Sequence, residues 1–285
     1  MKKIITLIFL FLIAYNTAFS QSLKDTVYKK EINYIKLSLV GGITIGVFIY
    51  GYALQNNLWW KGDKSEFHFV WKQDWVYALG EDKYGHFFFP YLVSNIYSQA
   101  LEWSGFDEEK SLWYSSSFAL AYETFVEIRD GFSKQWGFSW GDFTADALGS
   151  AYPILQHKIP ILKNFNFKIS FYPSDRFKHG SNKVIFDDYE STYDWLSINV
   201  HNLLPKNIRR FYPAFINLTV GHSVEKLDNL GGGNHRFYIG IDWNMEALPG
   251  SGWFWKLLKR NLNYYHFPSP VIQIYPHVIL YGLKF

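Results

Sequence analysis

The hydrophobic residues of this chain change their spacing about halfway along, and that change limits the folds open to it. From residue 22 to about residue 157 the apolar residues follow a helical period, and from about residue 163 they alternate with polar residues. Turn sequences such as Gly231-Gly232-Gly233-Asn234 separate the alternating segments. The sequence therefore predicts an α+β fold, in which an N-terminal four-helix bundle is followed by an antiparallel β-sheet or small partial barrel of five to seven strands. The four helices are predicted at about residues 34–60, 82–104, 108–130 and 139–156.

The first 20 residues have the pattern of an export signal. Lys2 and Lys3 precede an apolar run that is too short to span a bilayer comfortably, and Ala18-Phe19-Ser20 is typical of a cleavage site. The alternative is a membrane anchor that is not cleaved. We therefore expect a signal peptide at residues 1–20, a helical domain at residues 21–160, and a β-rich domain at residues 161–285, with membrane association of the β-rich domain as a further expectation.

The first predicted helix is nearly long enough to cross a membrane, but its glycines keep it only moderately hydrophobic. Because these glycines recur at helical spacing, they predict the close approach of another helix. They are Gly41, Gly42, Gly46 and Gly51.

Aromatic residues make up 21% of the chain, with 26 Phe, 21 Tyr and 12 Trp. Tyrosine and tryptophan favour bilayer interfaces, where the ring is buried and its polar tip stays hydrated. The net charge is only +3, with acidic and basic residues interspersed, so nucleic acid is not expected as a partner. The composition indicates an exported protein at the outer membrane or the periplasmic face of the cell envelope, with membrane lipid as a partner. It predicts no particular protein partner.

The end of the chain resembles the C-terminal strand of bacterial outer-membrane β-barrel proteins. Ile279, Tyr281, Leu283 and Phe285 alternate along one face of a predicted strand, and the aromatic Phe285 is the last residue. The alternative is an ordinary soluble strand that ends in phenylalanine.

Three of the predicted helices each carry two ionisable residues one helical turn apart. The first pair is an aspartate and a histidine, the second two glutamates and the third two aspartates, and each pair faces a single neighbour. Three such pairs could meet inside a bundle. With the charged residues beside them, the predicted polar cluster consists of Asp82, Lys83, His86, Glu123, Glu127, Arg129, Asp130, Asp142 and Asp146.

Three interpretations of this cluster remain open. In the first, Lys83 and Arg129 neutralise the acids in a buried salt-bridge network that fixes helix register. In the second, the cluster is a catalytic or metal site with His86, Glu127 and Asp146 as candidates, since carboxylates and imidazole suit hard or borderline cations. In the third, the cluster binds a ligand or a lipid headgroup. No cofactor is predicted, with a divalent metal as the alternative under the second interpretation.

Ser139 lies in Gly137-Phe138-Ser139-Trp140-Gly141, which matches the G-x-S-x-G pattern of a nucleophile elbow. That motif requires a strand before it and a helix after it in an α/β sheet, whereas here it follows a loop. We therefore interpret Ser139 as the N-cap of the fourth helix, with Asp142 at the N3 position of a capping box. Asp107 is the corresponding N-cap of the third helix.

The spacing of these residues resembles that of the YfiM-like lipoprotein family, whose function is unknown. The pattern is D-K-x-x-H, then E-x-x-x-E-x-x-D, then S-x-x-D-x-x-x-D-x-x-G, and it covers about residues 75–155. The resemblance implies an envelope protein that faces the periplasm, and it implies no activity. This chain contains no cysteine, which a lipoprotein needs for its lipid, and it adds the β-rich part.

A looser resemblance to the VanZ-like membrane proteins rests on the Asp-Lys-x-x-His start and on an aspartate near the last helix. It implies four helices within a membrane, so integration into the inner membrane is the alternative location. This alternative ranks second, because helices that carry Asp82, Glu127 and Asp146 are costly in lipid unless these acids face inward.

The sequence favours a structural role at the envelope, or binding of lipid or an envelope polymer. The alternative is a metal-assisted or acid–base hydrolase acting on a lipid or envelope substrate. In that alternative His86 is a ligand or base, Glu127 a ligand or acid, and Asp146 an orienting ligand.

Overall fold

The computed structural model describes residues 31–180, 184, 188–228 and 230–285, so the expected signal peptide lies outside the described residues. Long helices form the first part, and their bounds agree with the predicted ones to within two residues. They are α1 (Tyr34–Leu58), α3 (Glu81–Ser104), α4 (Glu108–Gly131) and α5 (Trp140–Lys158). A short helix, α2 (Lys72–Val76), and a 3-10 turn (Tyr77–Gly80) precede α3, and β1 (Phe69–Val70) pairs in parallel with β2 (Phe138–Ser139).

The helices begin at the predicted caps. The Asp107 side chain accepts the backbone N–H of Lys110 at 2.8 Å, and Ser139 Oγ accepts that of Asp142 at 2.8 Å. The backbone N–H of Ser139 donates instead to Glu127 Oε2 at 2.9 Å. The Asp142 carboxylate is therefore available for partners other than the capping box.

Helices α3, α4 and α5 form the tight part of the bundle. A Cβ added at Gly149 in α5 would lie 2.0 Å from the backbone oxygen of Phe87 in α3, so only glycine permits this approach. Helix α1 is peripheral. It contacts α3 near its N-terminal end, where Lys36 Nζ lies 5.0 Å from the Trp103 ring, and it contacts α4 in its C-terminal half, where the Phe48 and Tyr52 rings lie 5.9 and 6.1 Å from the Phe125 ring.

The prediction that four glycines of α1 admit a neighbouring helix holds only for Gly51, where an added Cβ would lie 3.2 Å from Tyr122 Oη. At Gly41, Gly42 and Gly46 an added Cβ would meet no atom of the described residues within 4 Å. The reason is that these three glycines face away from the other helices. Val40 is the one buried residue of α1 within the described part of the chain.

The second part of the chain is a six-stranded antiparallel sheet, which confirms the predicted fold class. The strands are hydrogen-bonded in chain order, and adjacent strands run in opposite directions. The sheet curls so that its first and last strands come near each other. The ring of Tyr172, just after the first strand, lies 6.0 Å from the ring of Phe285, just after the last strand. The strands are β3 (Phe165–Phe171), β4 (Thr192–Ile198), β5 (Ile216–Glu225), β6 (Asn234–Trp243), β7 (Ser269–Tyr275) and β8 (Ile279–Lys284). Shorter helices lie between them: α6 (Asp175–Lys178), α7 (Val200–Leu203), α8 (Lys206–Arg209) and α9 (Trp253–Leu262).

The two faces of this sheet differ in an unusual way. The concave face is buried and largely polar or aromatic, with Lys168, Trp195, Asn217, Tyr238 and Asp242 almost inaccessible to solvent. The convex face of β5–β8 is apolar and exposed. One cross-strand row on it consists of Val220, Ile239, Ile272 and Leu280, which are 46%, 48%, 42% and 75% exposed.

On β3 and β4 the same convex face is covered by helix α3. The Phe87 ring lies 4.5 Å from the Phe167 ring of β3, and Tyr84 Oη donates hydrogen bonds to the backbone oxygens of Lys168 at 2.8 Å and Trp195 at 3.2 Å. Helix α3 therefore contacts the other bundle helices on one side and the sheet on the other.

Candidate functional site

Lys83, near the start of α3, is surrounded by three aspartates. Its Nζ lies 2.5 Å from Asp74 Oδ1, 3.0 Å from Asp82 Oδ2 and 2.7 Å from Asp142 Oδ1. All four side chains are largely buried. Lys83 thus pairs with the acids as the structural interpretation predicts.

His86, one turn further along α3, faces the three acids that the helical spacing predicted to be near it. Its Nδ1 lies 3.1 Å from Asp146 Oδ1 of α5 and 3.9 Å from Glu127 Oε1 of α4, and its Nε2 lies 3.8 Å from Asp142 Oδ1. The His86 side chain is 25% exposed, whereas Glu127 and Asp146 are buried. The candidate residues His86, Glu127 and Asp146 therefore come together from three helices.

Burial changes the protonation of this cluster. It raises the pKa of Glu127 to about 9 and that of Glu123 to about 8. For Asp82 burial, together with the nearby Asp142, outweighs the effect of Lys83 and raises the pKa to about 6. Burial alone would lower the pKa of His86, but the carboxylates of Asp142 and Asp146 raise it well above its usual value. Without a bound cation, the imidazole is therefore charged at neutral pH while Glu123 and Glu127 hold protons.

The cluster contains more acids than bases. The carboxyl groups of Asp74, Asp82, Glu123, Glu127, Asp142 and Asp146 accompany only two basic side chains, Lys83 and His86. The Asp146 Oδ2 atom is buried and accepts no hydrogen bond from the described residues. One ligand atom each from His86, Glu127 and Asp146 lie within 4.8 Å of one another. Such a set of one imidazole and two carboxylates suits a divalent cation.

Two residues of the predicted cluster lie apart from it. Arg129 sits over the Trp60 ring at 4.8 Å and donates to Asn56 Oδ1 at 3.4 Å, and it forms no ion pair with an acid among the described residues. Asp130 accepts the indole N–H of Trp60 at 2.6 Å, and burial raises its pKa to about 6. Lys83 alone therefore fulfils the neutralising role that the structural interpretation gave to both Lys83 and Arg129.

Asp74 and Ser139 also belong to the cluster, although the sequence suggested no role for Asp74 and predicted Ser139 only as a helix cap. Asp74 lies in α2, within a segment predicted to be a loop, and it accepts a hydrogen bond from Ser139 Oγ at 2.6 Å. Ser139 therefore serves as the helix cap and also links Asp74 to Glu127 through its hydroxyl and backbone N–H. Asp74 has no charged residue or histidine at helical spacing, so no pattern in the sequence indicates that it approaches Lys83.

A second group of ionisable residues lies where α3 meets the sheet. Glu81, Asp194 and His222 offer ligand atoms within 4.8 Å of one another. His222 has no other potential ligand at strand spacing in the sequence, and the two acids come from the helical and sheet parts of the chain. A pattern within one helix or strand does not reveal such a group.

Residues 70–158 match the family model described as a predicted periplasmic lipoprotein (DUF2279). The matched segment runs from β1 to the end of α5, so it includes every residue of the Lys83 and His86 cluster. No curated protein and no solved structure matches the chain. The match confirms the predicted similarity to a lipoprotein family of unknown function, and it supports an exported, envelope location. The resemblances to VanZ-like proteins and to outer-membrane barrel ends stay predictions.

Proposed function

We propose that this protein works at the surface of an envelope membrane, where the convex face of β5–β8 contacts lipid and helices α3–α5 form a rigid body beside it. The observation that carries this proposal is the exposed row of Val220, Ile239, Ile272 and Leu280, which crosses four neighbouring strands. A soluble sheet with one exposed face normally buries its apolar side and exposes its polar side. Here the order is reversed, as it is in sheets whose outer face meets lipid.

Helix α1 supports the same proposal. It has 25 residues, which corresponds to a length of about 37 Å at 1.5 Å per residue. Among the described helices it is the one that could cross a membrane by length and composition, and it is almost entirely exposed. Large apolar surfaces on a helix and on a sheet are typical of a protein that meets lipid rather than water alone.

For the location we propose the outer membrane, with the inner membrane as the alternative. The polar concave face of the sheet and the aromatic C-terminal strand support the first location, and a spanning α1 would support the second. Separation of inner and outer membranes by density, followed by detection of the protein, distinguishes them. Release into the soluble periplasmic fraction would contradict both.

Lipid contact is tested by placing charges on the convex row. We expect the double variant Ile239→Lys/Ile272→Lys to lose most of its co-flotation with vesicles of phosphatidylethanolamine and phosphatidylcholine, which carry no net charge that would attract the added lysines. The reason is that each lysine on a lipid-facing strand costs up to about 2–4 kcal/mol at mid-bilayer depth. The matched control is Ile161→Lys, which changes an equally exposed residue on the turn before β3 and should leave flotation unchanged. Equal flotation of the double variant and the wild-type protein would refute the proposal, provided that both give the same far-UV circular dichroism.

A metal-assisted or acid–base hydrolase is the second candidate function, and the protonation of Glu127 favours it. A buried carboxyl with a pKa of about 9 can act as a general acid at neutral pH. The charged state of His86 suits a proton donor or an electrostatic partner better than a base, so the base role is less well supported. Hydrolysis of a phospholipid or ester by the purified protein, abolished in Glu127→Gln and His86→Ala, would support this function. Unchanged hydrolysis in both variants would reject it.

A further inference from the structure

The junction between α3 and the sheet contains two carboxylates and an imidazole that the His86 cluster does not use. Glu81 is the first residue of α3, Asp194 lies on β4 and His222 on β5, where Asp194 and His222 are directly opposite each other across the two strands. His222 Nδ1 lies 2.9 Å from Glu81 Oε2. Three separate elements thus present one group each to the same point.

The backbone before Glu81 is held in an unfavourable conformation. Ala78 and Leu79 have φ angles of 47° and 58°, in the left-handed region that costs non-glycine residues about 1 kcal/mol or more each. Ala78 is buried against Val224, near the end of β5, and Leu227, at the start of the β5–β6 loop, and these contacts anchor the turn. This packing fixes the position of Glu81 over β4 and β5.

The acids of this group have no lysine beside them, in contrast to the acids around Lys83. Asp194 is 4% exposed, and the partner of its carboxyl group is the second acid, Glu81, rather than a basic side chain. Glu81 is also buried, and no lysine or arginine in the described part of the chain forms an ion pair with either acid. A buried carboxylate pair without a positive partner is costly.

The hydrogen bonding of His222 leaves one of its nitrogens available to a cation. Its Nε2 lies 3.0 Å from Nδ1 of His235, a neighbour on β6. When Nε2 donates to His235, neutral His222 has its Nδ1 lone pair directed at the two carboxylates. In metal sites the second nitrogen of a ligating histidine is usually bonded in this way.

We propose that Glu81, Asp194 and His222 bind one first-row divalent cation of the zinc class at this junction. One imidazole nitrogen and two carboxylate oxygens form a three-ligand set that suits such an ion and leaves a position for water or another ligand. The His222 side chain is 27% exposed, so the site is open to solvent on the sheet side. The ion would join the start of α3 to β4 and β5.

The test is zinc binding by the full chain in detergent, measured by equilibrium dialysis and elemental analysis after removal of metal with a chelator. We expect Asp194→Asn and His222→Ala each to lose one equivalent of zinc, and His235→Ala to weaken binding by about 10- to 100-fold. His86→Ala is the matched control, because it removes the histidine of the other cluster and should retain the junction equivalent. Loss of zinc in His86→Ala alone, or no zinc bound by the wild-type chain, would overturn the proposal.

A second measurement covers the case in which a variant of the junction fails to fold. Cobalt bound to the His86→Ala chain, which lacks the imidazole of the other cluster, should give visible absorption bands and an X-ray absorption spectrum that fits one imidazole among oxygen ligands. A spectrum that requires oxygen ligands only, or two or more imidazoles, would contradict the proposed ligand set.

Discussion

Burial is the largest influence on the pKa values of the acids in the helical bundle, and the charges of neighbouring groups come second. Lys83 neutralises the acids on its side of α3, whereas the charged His86 is one cation among several carboxyl groups. Protons therefore supply the remaining neutralisation at Glu123 and Glu127, whose pKa values are raised by burial. This part of the protein should respond to pH more strongly than its modest net charge suggests.

The free energy of unfolding should fall as the pH rises from 4.5 to about 9. Glu127 has a folded pKa of about 9 against 4.5 for an ordinary glutamate, so between these values the folded state holds a proton that the unfolded state has lost. Its contribution is complete below pH 4.5 and disappears as the pH approaches 9, and His86, whose pKa is also raised, acts in the same direction. We expect Glu127→Gln to reduce the slope of unfolding free energy against pH by about 1.4 kcal/mol per pH unit within this window.

The measurement is urea unfolding in detergent at several pH values. Glu66→Gln, at an exposed glutamate, is the control and should leave the slope unchanged. A wild-type stability that increases from pH 5 to pH 9 would mean that the carboxylates are ionised in the folded state, as expected if a cation occupies the His86 cluster without addition of metal.

Helices α3 and α5 approach each other closely, and this approach requires a glycine at position 149. Gly149 lies against the backbone of Phe87, one residue after His86, so the distance between His86 and Asp146 depends on this contact. Helix α1 has glycines as well, but most of them face open space. Glycine therefore permits a close helix contact in α5, whereas most glycines of α1 form no such contact.

Alanine substitutions at these glycines should change stability in opposite directions. Gly149→Ala must separate α3 from α5, and we expect it to lower the free energy of unfolding by about 1–3 kcal/mol. Gly46→Ala is the matched control, because the added Cβ meets no neighbouring atom. Since alanine favours the helix over glycine, this variant should raise the free energy of unfolding by up to about 1 kcal/mol. Urea denaturation of both variants gives the comparison. If Gly149→Ala were as stable as the wild-type protein, the close approach of α3 and α5 would be incorrect.

At the scale of the whole molecule, the helical part and the sheet share one interface on α3. The core cluster of Phe88, Tyr91 and Ile169 joins residues from both parts, and the Phe87 and Phe167 rings are in contact beside it. Because the same helix carries Lys83 and His86, loss of this interface should affect the ionisable cluster as well.

Phe87→Ala should therefore lower the unfolding temperature of both parts together. Removal of a packed aromatic side chain typically costs about 3–5 kcal/mol when it is fully buried, and Phe87 is partly buried, so we expect a value at or below the lower end. Far-UV circular dichroism follows the helices and near-UV circular dichroism follows the aromatic packing. Coincident transitions at a lower temperature are expected, whereas an unchanged sheet transition would show that the two parts fold independently.

The sequence predicted the long helices and the number of strands because these depend on spacing within one segment. The helical spacing also predicted that His86, Glu127 and Asp146 meet, since each pair faces the bundle interior. It could not predict the partners of Asp74 or Glu81. Their positions depend on the left-handed turn between them and on contacts with residues far along the chain, which no local pattern encodes.

The order of the strands has a consequence for how the chain acquires this fold. Each strand from β4 to β8 pairs with the one that precedes it, so the sheet can grow by successive hairpins as an unfolded chain emerges. Such short-range connections favour rapid folding. Contacts such as the Ile169–Tyr265 bridge and the Tyr172–Phe285 ring contact join the beginning of the sheet to its end. We therefore expect the curl to close last, and the convex face of β5–β8 to form within one short interval, which limits the time available for two nascent chains to aggregate through it.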